Sequence, residues 1–513
     1  MATIKDKKMK NIYSTLFIFF LIIGCSKDDP IIEVIEVIEV IEEEEETVNQ
    51  PPNNFDVEIL NISHESATIN WNEATDPESE AVTYNIYLNQ TLIIENISEL
   101  TYEFIALEEL TGYSGKIIAK DINNNETETT FSFQTEKYYL KYLKRFDYGT
   151  VNYGTTGYAS GSPYSMIKSN DQNYIVAGVS AFPNGNGFRF FVSKIDYDGN
   201  ELWKKFYDYQ VGDSWRFKIG KTSTGFVLAG HHHVLNLDNE GNVIWYKKID
   251  SYDIADGSAE IQSVKQDSQG NIILVGGRGS EDPEVQQEAV LTKLNNIGEI
   301  IWEKVFKSSF RSFFNDIIIN SSDQLIILGS AETSGTTMEE YIQGPSSVEQ
   351  IDFWVLKLTN EGEIIWETTF GDGKYDFPNQ IISTSDNNFV VVGYGASIFK
   401  IDDSGDLVWS NTELSAYNPT FSISETNDNG FVTTGKFDFG NYGALAISKY
   451  DSNGNLEWEK SYQESFTYLS GYAILAEDDG GFRVAGSSSK NFYYNDEKPN
   501  LLIFKTDPQG NHE

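Results

Sequence analysis

From residue 138 onward, short apolar runs alternate with polar turns, and the same order of runs repeats. In each unit a weakly apolar strand leads through a tight turn into an apolar run that ends in glycine. These runs are YIVAG (174–178), FVLAG (226–230), IILVG (272–276), LIILG (325–329), FVVVG (389–393), FVTTG (431–435) and FRVAG (482–486). A third strand then enters a D-x-x-G-type turn and a strand carrying tryptophan: LWKKFY, IWYKKI, IWEKVF, IWETTF, LVWSNTE and LEWEKSY. The apolar runs start at 174, 226, 272, 325, 389, 431 and 482, so the spacing is 42 to 64 residues.

Four strands per unit at this spacing predict an all-β chain and a β-propeller. The turn glycine supplies a positive φ at little cost. The tryptophan on the outermost strand is expected between neighbouring blades, where burying the ring is worth about 2–3 kcal/mol. The region opens on KYLKRFDYG (141–149), a fourth strand with no earlier strands before it and Tyr142 in the tryptophan slot. It closes on KTDPQGNHE (505–513), one residue short of the next tryptophan. The two ends are complementary. Residues 138–513 therefore read as a seven-bladed β-propeller whose last blade is completed by an N-terminal strand, 139–146, leaving no open edge. The turn-plus-tryptophan pattern resembles the docking motif of quinoprotein-type propellers, although the Ala and Thr typical of that motif are absent.

Residues 51–136 follow a different pattern. Alternating runs ATINW (67–71), VTYNIYL (82–88), YEFIAL (102–107), YSGKIIAKD (113–121) and TTFSFQT (129–135) predict a β-sandwich. The stretch LEELTGY (107–113) resembles the tyrosine corner of fibronectin type III domains, with Leu107 and Tyr113 in the paired positions. Trp71 matches the buried tryptophan of that family, and Glu109 replaces the usual proline of the corner. The resemblance implies a fibronectin type III-like sandwich in which the Tyr113 hydroxyl bonds back to the backbone. In bacterial surface proteins such domains often act as spacers.

Composition adds the cellular address. The 513 residues carry a formal net charge of −41, which excludes nucleic acid as a partner. Cys25 is the one cysteine, so no intrachain disulfide can form. It follows four lysines (Lys5, Lys7, Lys8, Lys10) and the apolar run IYSTLFIFFLIIG (12–24), too short to span a bilayer comfortably. Ile22, Ile23, Gly24 and Cys25 resemble the lipobox of bacterial lipoproteins. The resemblance implies a signal peptide over 1–24, acyl chains (palmitate among them) on Cys25, and the outer membrane as a partner through that anchor. Ser26, Lys27, Asp28 and Asp29 resemble a signal for display on the cell exterior. An ordinary secretory signal with an incidental cysteine is the alternative. The run IIEVIEVIEVIEEEEE (31–46) repeats every three residues, fitting neither strand nor helix, so 25–50 reads as an extended acidic tether.

Turns between strands one and two and between three and four are uniformly short: DNN, DGG, DSGD and DSNG. Loops after the second strand vary widely, as in SAFPNGNGFR, RGSEDPEVQQE and SAETSGTTMEEYIQGPSSVEQID, against the minimal GYGAS. Function concentrates in such variable loops. Counting back ten residues from the start of each second strand gives one position per blade at the channel mouth on that face. These are Tyr164, Arg216, Gln262, Asn315, Asn379, Phe421 and Tyr472, with Trp215 beside them. Amides, aromatic rings and an arginine suit an extracellular glycan or an extended peptide; the same residues would also serve simply to cap the channel.

No metal and no cofactor are expected. His231 and His233 would share one side of a strand, two imidazoles short of a zinc site, so the run reads as a solvated loop. The D-x-x-G turns lack the spacing of an EF-hand loop. No G-x-S-x-G, H-E-x-x-H or phosphate loop occurs. The leading expectation is a non-enzymatic binding module for a glycan or protein. The alternatives are a polysaccharide-cleaving hydrolase or lyase with paired acids on the variable face, and a structural subunit of an envelope complex.

Overall fold

A computed structural model describes residues 49–148, 162–182, 187–211, 218–252, 260–280, 285, 287–307, 311–332, 351–371, 377–393, 398–411, 420–438, 443–464, 467–490 and 500–512. The leader, Cys25 and the tether up to residue 48 lie outside them. The chain divides into two compact units, the first ending at Glu136 and the second beginning at Lys137.

In the first unit, one sheet has the order Val57–Leu60, Ala67–Trp71, Thr101–Phe104, and the other Thr91–Ile97, Thr83–Leu88, Gly112–Lys120, Glu126–Gln134. Alternation places Ala67, Ile69 and Trp71 on the inner face, where they meet Tyr84, Ile86, Ile117, Ala119, Phe131 and Phe133 from the other sheet. The Trp71 and Tyr84 rings meet edge to face at 5.5 Å. The Glu108 N–H donates to the Tyr113 hydroxyl at 2.9 Å, tying the arch over 107–113 to its own backbone.

Among the described residues of the second unit are seven four-stranded antiparallel sheets, labelled I to VII, in a β-propeller-like arrangement. Sheet I runs Ser162–Lys168, Tyr174–Ala181, Phe188–Ile195, Glu201–Val211. The first strands of sheets II to VI are Lys218–Lys221, Glu260–Gln266, Ser312–Ile319, Pro378–Ser383 and Thr420–Glu425. Sheet VII combines Thr467–Ala476, Phe482–Lys490 and Asn500–Thr506 with Tyr142–Phe146 from the start of the unit. Each first strand packs against that of the next sheet, and Thr467–Ala476 packs on Ser162–Lys168.

The repeated motif has a direct packing cause. Each outer-strand tryptophan lies on the turn glycine of the next sheet: Trp203 on Gly241, Trp245 on Gly298, Trp302 on Gly362, Trp366 on Gly405, Trp409 on Gly454 and Trp458 on Gly510. Tyr142 completes the circle on Gly199. These glycines hold φ of +74° to +89°, and a Cβ on Gly454 would stand 2.5 Å from the Trp409 ring. Two conditions thus select glycine at once. Trp245 and Trp366 donate their indole N–H to Asn296 and Asp403 carbonyls at 2.9 Å, and the Tyr142 hydroxyl donates to the equivalent Tyr197 carbonyl at 3.3 Å.

The turn aspartates are consumed by the turns. Asp196, Asp238, Asp267, Asp451 and Asp507 each accept the N–H of the residue four places on with one oxygen, and the carboxamide of that same asparagine with the other. Among the described residues no cluster of three or more metal-ligating side chains is placed to hold an ion. Buried lysines of the third strands pair with aspartates of the one–two turns: Lys194–Asp171 at 2.6 Å, Lys293–Asp267 at 3.1 Å, Lys400–Asp386 at 2.8 Å, Lys449–Asp428 at 2.9 Å and Lys505–Asp479 at 2.9 Å. Ion pairing is what makes a buried ammonium tolerable.

The histidine run is not a solvated loop. Gly230 pairs with His233, so His231 and His232 form the tight turn and His233 opens the strand His233–Asp238. His232 and His233 are buried, and His233 Nδ1 lies 2.9 Å from the Tyr246 hydroxyl. A two-residue hairpin leaves no loop to solvate.

Candidate functional site

The innermost strands share one irregularity. In sheets I, III, IV, V, VI and VII the register against the second strand slips by one residue at the same place. The residue left without a partner is Tyr164, Gln262, Asn315, Asn379, Phe421 or Tyr472 respectively. Six candidate positions are therefore bulge residues in a single layer of the ring. A bulge breaks the ladder and re-aims a side chain.

The glycine that ends each second strand belongs to the same device. A Cβ on Gly178, Gly276, Gly393 or Gly486 would stand 1.9–2.2 Å from the carbonyl oxygen two residues before the bulge residue. The bulge presses that backbone onto the glycine, so no side chain fits.

Sheet II differs by one residue. Its one–two turn closes from Thr222 to Gly225, a residue shorter than turns such as Asp267–Asn271. Lys218 pairs with Ala229, the residue before Gly230, which makes Lys218 the counterpart of Ser165 and Ser263. The count of ten thus overshoots by one residue in this sheet. Trp215 and Arg216 lie outside the described residues.

The layer is built of neighbours that touch across sheets. The Tyr472 ring meets Tyr164 edge to face at 5.4 Å and stacks on Phe421 at 5.3 Å, giving an aromatic arc over sheets VI, VII and I. Burial pushes both tyrosine hydroxyls well up, so they stay neutral. Asn379 Nδ2 donates to the Thr420 carbonyl at 2.7 Å, and Gln262 Nε2 to Glu260 Oε2 at 2.7 Å. Gln262 and Asn315 are buried, and neither Gln262 Oε1 nor Asn315 Oδ1 has a hydrogen-bond partner among the described residues.

One place further along each strand lies a polar belt that sequence reasoning did not single out. Ser165 Oγ accepts the Ile219 N–H at 3.3 Å, and Ser263 Oγ donates to Asp316 Oδ1 at 2.7 Å. Asp316 Oδ2 accepts the Ile381 N–H at 3.2 Å, Gln380 Oε1 the Ile423 N–H at 2.9 Å, and Ser422 Oγ the Ile474 N–H at 3.1 Å. Side chains of one sheet thus satisfy backbone donors of the next. The signal was available in part: a polar residue follows five of the seven candidates, as Ser165, Ser263, Asp316, Gln380 and Ser422, while Phe217 and Ala473 follow the other two.

Beneath the layer a cavity of about 380 Å³ runs between the innermost strands. Tyr164 and Tyr472 line it, with Lys218, Lys265, Asp316 and Glu425 among its walls. The described residues of the bulge layer itself are rings and neutral amides. They suit binding, and none moves a proton at neutral pH.

No family model and no curated protein matches the chain. Among solved structures it is similar to a catalytically inactive virginiamycin B lyase from Staphylococcus aureus with quinupristin, at 13% identity and a TM-score of 0.43, over 71% of this chain and 99% of that one. It is also similar to YCF48 bound to D1 peptide, at 11% identity and a TM-score of 0.40, over 72% and 98%. A third is the extracellular domain of the putative one-component system BT4673 from B. thetaiotaomicron, at 10% identity and a TM-score of 0.38, over 89% and 52%. Likeness at this level carries no argument about activity.

Proposed function

We propose that the chain is a lipoprotein held to the outer membrane through Cys25 and facing the cell exterior. In this reading the tether and a fibronectin type III-like domain space a seven-bladed β-propeller from the membrane. The propeller binds an extracellular glycan or protein on its bulge face and performs no chemistry. The observation that carries the reading is the single layer of six bulge residues, four of them rings or amides in cross-sheet contact and two with spare amide oxygens. Bulges gather at binding sites, and buried polar atoms without partners call for an explanation. The Tyr113 hydrogen bond supports the fibronectin-type assignment, and the Tyr142–Phe146 strand supports closure into seven blades.

The test is hydrogen exchange on the acyl-free protein, with a glycan panel and envelope extract as probes. Slowed exchange is expected in the innermost strands around Tyr164 and Tyr472. Protection confined to the turns at Gly405 and Gly454 would refute the choice of face.

A further inference from the structure

Resting on that reading, we infer that the group entering the mouth is cationic, the ammonium or guanidinium of a lysine or arginine on a protein partner. Three atoms in adjacent sheets point to it. Glu260 fixes the Gln262 carboxamide by taking its N–H, so the atom left over, Oε1, is an acceptor. Asn315 Oδ1, in the next sheet and the same layer, is likewise without a partner among the described residues. Directly after Asn315 comes Asp316, a buried carboxylate on the cavity wall.

Among the described residues the partners of Asp316 are neutral: the Ser263 hydroxyl and the Ile381 N–H. Lys218 and Lys265 line the same cavity, while the hydrogen bonds of Asp316 among the described residues go to Ser263 and Ile381. The contrast with the third-strand lysines is instructive, because there each buried charge has its counter-charge. A buried carboxylate without one is costly and attracts a cation. An ammonium or guanidinium brings donors and no acceptors, so it matches a site of spare acceptors. A sugar hydroxyl also brings lone pairs, which such a site does not serve. A net charge of −41 steers cationic partners toward the protein.

The experiment is a calorimetric titration of the mature chain at physiological salt with Nα-acetyl-arginine amide, Nα-acetyl-lysine amide and, separately, maltohexaose. At least one cationic probe should bind and maltohexaose should not. Asp316→Asn removes the charge while its amide oxygen can still accept the Ile381 N–H and its Nδ2 can donate to Ser263 Oγ, reversing that bond, and Gln262→Leu removes the acceptor. Each should weaken the cationic probe by about 10–100-fold, the range for a hydrogen bond to a charged group. Should Asp316→Asn fail to fold, Gln262→Leu carries the comparison alone. No binding by either cation overturns the inference, as does cation binding unchanged in the folded variants. Maltohexaose binding that Tyr164→Ala abolishes and Asp316→Asn spares also overturns it, while leaving the binding face intact.

Discussion

The Tyr142–Phe146 strand is the seam of the ring, and Tyr142→Ala opens it at one side chain. The ring of Tyr142 covers Gly199, so closely that a Cβ there would stand 2.4 Å from it. Its hydroxyl donates to the Tyr197 carbonyl at 3.3 Å and accepts from Arg483 Nη1. Arg483 is fully buried, and burial lowers its guanidinium to about 9. Truncating a half-buried ring costs about 2–3 kcal/mol, below the range for full burial. Stranding a buried guanidinium N–H adds about 1–3 kcal/mol. A loss of about 3–6 kcal/mol is therefore expected. Tyr142→Phe removes only the hydroxyl and should lose about 1–3 kcal/mol. The assay is urea unfolding followed by tryptophan fluorescence, which reports the second unit because every tryptophan except Trp71 lies there. A midpoint for Tyr142→Ala within about 0.5 kcal/mol of the parent, the scale of ordinary surface changes, would refute the seam.

Gly454→Ala should cost more than about 1 kcal/mol, since it forces a side chain into positive φ and against the Trp409 ring, while ligand binding stays unchanged. Acid should unfold the second unit early. Burial alone would raise the Asp386 and Asp428 carboxyls, yet hydrogen bonds from Lys400 and Thr384, and from Thr426 and Lys449, bring each down to about 2. A lowered folded pKa gives stability that is complete above about pH 4 and lost as the pH falls toward 2. Melting temperatures measured across that window should drop, and Lys400→Met with Lys449→Met should flatten the drop. Cys25→Ser should move the protein from the membrane fraction to the soluble fraction or leave it unprocessed; unchanged fractionation with retained acyl label contradicts the anchor.

Much of the ring was legible because its repeat is written in residues that packing constrains. Tryptophan recurs since it covers a glycine of the next sheet, and glycine recurs since nothing larger fits beneath it. Tyr142 was readable as a tryptophan equivalent for the same reason. The bulge layer was legible through spacing alone, and spacing failed where the Thr222–Gly225 turn lost a residue. Lysines such as Lys400 and Lys449 went unnoticed because a charged residue in a strand reads as solvent-facing until its aspartate, fourteen or more residues away in sequence, is seen beside it. The Asp316 belt was hidden similarly, since its partners Ser263 and Ile381 belong to other sheets. The histidine turn was misread because hairpin length, not residue type, decides its exposure.

The central claim is that ligand meets the bulge layer. It is tested most directly by titrating whichever probe is captured against Tyr164→Ala/Tyr472→Ala and against Gly405→Ala, each checked for folding by its melting curve. Large aromatic contacts at a true hot spot are worth about 2 kcal/mol or more apiece. The tyrosine pair should therefore weaken binding by about a thousandfold, and the turn variant should bind as the parent does. Full affinity in the folded tyrosine pair, with affinity lost in the turn variant, would contradict the account.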